Sequence, residues 1–203
     1  MAQQLTRQPP SVAATPHRAE ITVVFTDLTH FRNFVEVAEP EIVVSVLREM
    51  HLLLGEIVTG LGGVVIDYVG DGVFFMFNDP TPVSDPEIRA VSAAVEIRDQ
   101  FRPVSERWQR TYGTRMAMRI GVHSGFATLG MLGFPGHERY GPVGKTVVLA
   151  ALCSREARDG QIIVTQRVAA AVESVAVLEP LPDMSQRLDR PVKVFNVLGL
   201  RPS

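Results

Sequence analysis

The chain has 203 residues, of which 46% are apolar and 21% charged, and its formal net charge is −2 at pH 7. That length fits one domain with a real core, and the slightly acidic balance argues against a general nucleic-acid binder. Cys153 is the only cysteine, which excludes an intrachain disulfide framework and points to a reducing, cytoplasmic compartment. No apolar run approaches the roughly 18 residues of a membrane span, so no membrane insertion is expected, and Met1–Pro10 lacks the apolar core of a signal peptide.

Residues 1–18 are rich in Gln, Pro, Ala, Ser and Thr and read as a flexible tail or linker ahead of a domain spanning 19–203. Ile21–Thr26 is β-rich and predicts a buried strand. Glu39-Pro40 opens a helix whose apolar face runs through Val43, Val46, Met50, Leu54 and Ile57, and Gly62-Gly63 ends it. Val64–Val69 and Val73–Phe77 predict two strands around the turn Gly70-Asp71-Gly72. Ser84 or Asp85 caps the next helix with Pro86 in its first turn, and Pro103 is expected to break it. Met116, Met118, Ile120 and Val122 alternate as a half-buried strand, and Phe126–Leu132 predicts a further one, with Gly125 marking a turn or a close backbone approach between them. A helix over Thr146–Ala157, a strand Ile162–Val164, a short helix Gln166–Glu173 and strands near Val175–Leu178 and Val192–Val197 follow. The order β-α-β-β-α-β predicts an α+β fold with a ferredoxin-like core, carrying an extra helix and strands at its C-terminal end.

Two carboxylates end apolar, strand-like runs: Asp27 in Val23-Val24-Phe25-Thr26-Asp27 and Asp71 in Tyr68-Val69-Gly70-Asp71-Gly72. Taken alone, Asp71 reads as a hairpin-turn residue and Asp27 as a helix cap. A hairpin beside the first strand would bring the two together, and paired hard carboxylates suit Mg²⁺ or Mn²⁺ over a polyphosphate.

With these residues in view, the chain resembles the class III nucleotidyl cyclases, the adenylyl and guanylyl cyclase catalytic domain, over about residues 20–198. The resemblance rests on Phe25-Thr26-Asp27-Leu28, Gly62-Gly63 followed by Gly70-Asp71-Gly72, Arg119-Ile120-Gly121-Val122-His123-Ser124-Gly125, Gly144 with Thr146-Val147, and Pro191-Val192 with Val194-Phe195. It implies that Asp27 and Asp71 hold two metal ions, one toward the ribose 3′-hydroxyl and one toward the phosphates. It also implies that the backbone at Thr29, His30 and Phe31 faces the triphosphate from a helix N-terminus. Family sites form between two subunits, so a homodimer or a heterodimer with another cyclase-like chain is expected.

The resemblance breaks at the residues that the second subunit normally supplies. Alignment on Tyr140 and Gly144 puts Gly141 at one base-recognition position, Val148 at the usual asparagine that orients the ribose, and Leu152 at the usual arginine that clamps the phosphates. Neither Val148 nor Leu152 has a side-chain donor. Asp67, four residues before Asp71, takes the second base-recognition position. A carboxylate there accepts two N–H groups from guanine but one amine from adenine, which leans toward GTP and leaves ATP or a pyrimidine open. Loss of one preorganised donor costs about 10²–10³ in rate and loss of a phosphate-clamping arginine about 10³–10⁵. Arg155, one turn beyond Leu152, is the nearest replacement cation, with Lys145, Arg187 and Arg190 as others.

Two functions are therefore expected. One is metal-dependent cyclisation of a nucleoside triphosphate to a 3′,5′-cyclic nucleotide and pyrophosphate, for intracellular signalling. The other is a degraded cyclase domain that binds nucleotide or completes a partner's site without turnover. Gly141–Thr146 imitates a phosphate-binding loop but has Arg139 where that motif needs glycine. The histidines show no zinc-like spacing, and the adjacent His123 and Ser124 point to opposite faces of a strand.

Overall fold

The computed structural model describes residues 15–185 and 190–202. In chain order the elements are β1 (His17–Leu28), α1 (Phe31–Val35), α2 (Pro40–Gly60), β2 (Val64–Val69), β3 (Gly72–Phe77), α3 (Pro86–Tyr112), β4 (Met118–Phe134), β5 (His137–Val143), α4 (Lys145–Glu156), β6 (Ile162–Thr165), α5 (Gln166–Val172), β7 (Ala176–Pro180) and β8 (Val194–Leu200). One eight-stranded sheet runs β2-β3-β1-β4-β6-β8-β7, with β5 paired to β4 off that path. The first four strands in this order, joined through α2 and α3, form the expected ferredoxin-like core of an α+β fold.

Side-chain alternation assigns the two faces of the sheet. Val24, Leu28, Phe75, Phe77, Ile120 and Val122 join the main core with Met50, Leu54, Val91, Ile97, Phe101 and Trp108 of α2 and α3. Ile21, Val23, Phe74 and Met76 point the other way and pack with Leu129, Tyr140 and Ala150 of β4, β5 and α4. Gly121 lets α4 lie directly on this second face: a Cβ there would stand 2.1 Å from the Ser154 amide nitrogen and 2.3 Å from the Ala150 carbonyl oxygen.

Several boundaries differ from the sequence expectations. β1 begins at His17, so the expected tail boundary at residue 18 falls inside a strand; residues 1–14 of that tail lie outside the described residues. Pro103 sits inside a continuous 27-residue α3. The missing amide is tolerated because the helix is anchored on both sides of it, by Ile97 and Phe101 before and by Ser105 and Trp108 after. Trp108 Nε1 donates to Glu49 at 2.9 Å, which ties the far half to α2. The two strands expected over 115–132 are one strand of 17 residues, β4, and Gly125 lies within it in register with Ile21. Gly125 marks a close approach rather than a turn: a Cβ would stand 3.0 Å from Thr146 Oγ1. β5 has no counterpart in the sequence reading, because Gly141 and Pro142 are poor strand formers; its partners on β4 run from Thr128 to Phe134. Among the described residues no helix is long and apolar enough to cross a membrane.

Candidate active site

Asp27 and Asp71 are brought together by their immediate neighbours. Thr26, buried in β1, donates through its hydroxyl to the Val73 carbonyl at 3.2 Å and accepts from the Val73 amide at 3.0 Å. Gly72 lies against the Thr26 carbonyl so closely that a Cβ would stand 2.2 Å from its oxygen. This contact seats the β2–β3 turn beside the end of β1, with both aspartates on one cavity and near enough for the charge of Asp27 to act on Asp71. Asp71 is held above the ordinary carboxylate value, first by partial burial and then by the negative charge of Asp27; its own amide and that of Leu28 pull the other way.

Arg119 completes the cluster. It is the register partner of Asp27 across β1 and β4. Its Nε donates to Asp27 Oδ2 at 2.6 Å, and a second guanidinium nitrogen contacts the same oxygen. The pair is only partly open to solvent, at 30% and 26% exposure.

The three residues form one wall of a cavity of about 990 Å³. Leu28 to Asn33 and Val35 line a second side, and Ala157, Arg158 and Asp159, after α4, line a third. His30 takes a left-handed conformation, with φ of 61°, and its Nε2 lies 3.5 Å from Asp159. The cavity therefore holds the Asp27 and Asp71 carboxylates beside the cations Arg32, Arg119 and Arg158, with Asp159 as a third carboxylate, a suitable lining for a metal-bound anion.

The sequence-derived candidates divide into those on this cavity and those elsewhere. Asp27, Asp71, Thr29, His30 and Phe31 are on its wall. Thr29 spends its amide on the Ala117 carbonyl at 2.9 Å, and its hydroxyl meets the same residue, so it fixes the loop to the start of β4. Phe31 is the first residue of α1 and has no intrahelical acceptor for its amide. With five residues, α1 offers little macrodipole. Asp67 lies on β2 and forms an ion pair with Arg139 of β5. Gly141 is buried in β5, where a Cβ would stand 3.4 Å from Ile66. Val148 is 55% exposed on α4, whereas Leu152 is buried in a small core with Cys153, Ala157, Ile163, Met184 and Val194. Burial pushes the Cys153 thiol up to about 12, which makes it an inert member of that core.

Arg155, Lys145 and Arg190 are exposed and stand off the cavity; Arg187 lies outside the described residues. Spacing on α4 places Arg155 on the same face as Val148, two turns further on. His123 does not line the cavity; its Nδ1 meets Thr165 Oγ1 at 2.7 Å, and burial, helped by the charge of Arg167, holds it down at about 4. The sequence reading did not assign Arg119, Arg158 or Asp159 to the site. The signal for Arg119 was its place in the β4 alternation, opposite in direction to Met118 and Ile120.

The donor set fits hard divalent cations. Asp27 and Asp71 supply anionic oxygens, the preferred donors of Mg²⁺ and Mn²⁺. A dication would offset the Asp27 charge, which acts after burial to raise Asp71. Among the described residues no cluster of three or more His, Cys, Asp or Glu side chains forms a protein-only cage. The remaining ligands would be water and substrate oxygens, the usual arrangement for Mg²⁺.

Comparison with known proteins identifies the family and the fold. Residues 13–193 match the family profile described as the adenylate and guanylate cyclase catalytic domain. Adenylate cyclase 1 of Rhizobium meliloti is 30% identical over 134 residues, which is 66% of this chain and 20% of that protein. The chain thus spans about a fifth of that relative's length. The crystal structure of the adenylyl cyclase CyaB from P. aeruginosa superposes with a TM-score of 0.88 at 24% identity, covering 92% of this chain and 97% of that one. That of the guanylyl cyclase Cya2 gives 0.86 at 27% identity, covering 91% and 94%. With a matched region that takes in both aspartates, Arg119 and nearly the whole described fold, the chain belongs to the adenylate and guanylate cyclase catalytic domain family.

Proposed function

We propose that this domain converts a nucleoside triphosphate to a 3′,5′-cyclic nucleotide and pyrophosphate. The observation that carries the proposal is that Asp27 and Asp71 line one cavity of about 990 Å³, with Arg119 paired to Asp27. Such a volume is at the upper end of ordinary small-molecule sites and large enough for a nucleotide.

In the reaction the ribose 3′-oxygen attacks the α-phosphorus, the bond to the bridging oxygen of the β-phosphate breaks, and pyrophosphate leaves; the hydroxyl proton passes to solvent. Two Mg²⁺ or Mn²⁺ ions held by Asp27 and Asp71 would supply Lewis acidity toward the 3′-hydroxyl and the phosphates. The chain's own groups bind and orient. Arg119 and Arg158 offer positive charge to the leaving phosphates, and the Phe31 amide and the His30 loop line the wall where they would rest.

The domain works beside a second copy or another cyclase-like chain. Met131, Leu132 and Phe134 are exposed on the β4–β5 arm, an apolar surface of the kind partners cover. A second reading, a subunit that holds metal and completes a partner's site without turning over alone, is favoured by one specific observation. Leu152 is packed into a core, so no side chain at that position extends toward a nucleotide. A reducing, cytoplasmic setting is part of the proposal and rests on the single-cysteine composition.

The test is incubation of the purified chain with Mn²⁺ and each of ATP, GTP, CTP and UTP, with mass spectrometry for cyclic product and Asp27→Ala as control. Product that disappears in the control supports the enzyme and identifies the base. No product from any of the four removes the self-sufficient homodimer and leaves the partner-dependent subunit.

A further inference from the structure

The Asp27–Arg119 pair occupies a carboxylate oxygen that a metal ion would need. Both guanidinium contacts go to one atom, Asp27 Oδ2, and the negative charge of Asp27 also acts on neighbouring Asp71. The strand register sets this arrangement: Asp27 and Arg119 are directly opposed, on the same face of neighbouring strands. Partial burial shields the pair, so it is stronger than an open surface ion pair. Without Arg119 the Asp27 carboxylate would keep no ion-pair partner among the described residues, beside the like charge of Asp71.

We infer that Arg119 is a stand-in cation that keeps divalent metal off Asp27 until a nucleotide arrives. This rests on the reading of Asp27 as a metal ligand and adds a coupling to it. A divalent ion bound at Asp27 competes with the guanidinium for Oδ2 and repels it. The guanidinium then needs another anion. It faces the same cavity as Arg158 and the His30 loop, where the phosphates of a nucleotide would lie. Triphosphate therefore takes over the guanidinium, and the metal takes over the carboxylate. Metal and nucleotide binding become mutually favourable, since whatever draws Arg119 away for one ligand is already done for the other. In the absence of nucleotide the site holds metal weakly.

Mn²⁺ titration of the purified full chain without nucleotide tests this, with free Mn²⁺ read by electron paramagnetic resonance. Arg119→Met removes the charge and keeps an apolar stem; Arg119→Lys keeps a charge without the two-nitrogen fork. The expected result is Mn²⁺ binding about ten- to a hundredfold tighter in Arg119→Met than in the parent, since a hydrogen bond to a charged group no longer has to be broken. Arg119→Lys should fall between them. A saturating, non-cyclisable triphosphate analogue should tighten Mn²⁺ binding in the parent and shrink the gap between parent and Arg119→Met.

Equal or weaker Mn²⁺ binding in Arg119→Met overturns the stand-in role, provided that Asp27→Asn weakens binding in the same assay. If Asp27→Asn leaves Mn²⁺ binding unchanged, Asp27 is not a metal ligand, and both the coupling and the reading beneath it fail. Circular dichroism of each variant separates these outcomes from loss of the fold.

Discussion

Arg139 of β5 forms an ion pair with Asp67 of β2, joining the β4–β5 arm to the edge of the core sheet. The carboxylate expected to accept from a base already accepts from a guanidinium and, at 3.0 Å, from the Tyr68 amide. Removing Arg139 frees that carboxylate for the two N–H donors of guanine. Arg139→Ala should therefore raise the preference for GTP over ATP analogues by about tenfold, and adding Asp67→Ala should abolish the gain. Both side chains are well exposed, at 57% and 36%, so stability should change by less than about 1 kcal/mol. Competition binding with the two analogues checks the ratio; an unchanged ratio in Arg139→Ala means that Asp67 does not read the base.

The raised Asp71 carboxyl predicts a pH dependence of stability. Its ordinary value is 3.8, and in the fold burial and the Asp27 charge move it upward. The folded state therefore holds the proton more tightly than the unfolded chain. Stability falls as pH rises from the ordinary value through the raised one, then levels off. Asp71→Asn carries no such ionisation. It should melt at a higher temperature than the metal-free parent at pH 7, with the difference vanishing below pH 3.8. Mn²⁺ should raise the parent's melting temperature but not that of Asp71→Asn. Thermal melts across pH, with and without Mn²⁺, decide it; a parent whose pH profile matches that of Asp71→Asn contradicts the account.

The parts of this site that were legible in the sequence share one property: a local pattern that only one structure satisfies. Val23–Phe25 leads to Asp27 and Val64–Val69 to Asp71 in the turn before Val73–Phe77, so strands and a juxtaposed pair of aspartates followed from hydrophobic period and topology. Arg119 did not follow, because its role depends on a cross-strand register with Asp27 that no spacing within either strand reveals. Arg158 and Asp159 follow α4 just before Gly160, and the packing of α4 on Gly121 is what carries them to the cavity. Leu152 stood out as a lost arginine; its place in a core with Met184 and Val194 is a tertiary fact that helical spacing does not contain.

Close approach at Gly72 predicts a sharp contrast between two glycines. Gly72→Ala places a methyl group 2.2 Å from the Thr26 carbonyl oxygen, so β1 and β3 must separate beneath the aspartates. The expected cost is more than about 2 kcal/mol, with loss of metal binding. Gly55 lies inside α2 with open space where its Cβ would stand. Gly55→Ala should stabilise by about 0.5–1 kcal/mol. Denaturant unfolding of the two variants checks the pair of signs, and a mild effect at Gly72 means that the strand contact is not what fixes the turn.

Val148 and Leu152 are one helical turn apart, yet they predict opposite responses to introducing the asparagine and arginine that the sequence resemblance implies at those positions. Val148 is 55% exposed, so Val148→Asn should alter stability by less than about 0.5 kcal/mol. Leu152 is buried among Cys153, Ala157, Ile163, Met184 and Val194. Leu152→Arg forces a charged group into that core or pushes the segment around Met184 aside, at an expected cost above about 2 kcal/mol. The same variant should fail to raise turnover in a homodimer, since the space around residue 152 points toward the C-terminal strands. Urea unfolding together with the cyclic-product assay measures both quantities. A Leu152→Arg chain that is as stable as its parent and forms cyclic product faster would show that α4 turns this position toward substrate in the assembled protein.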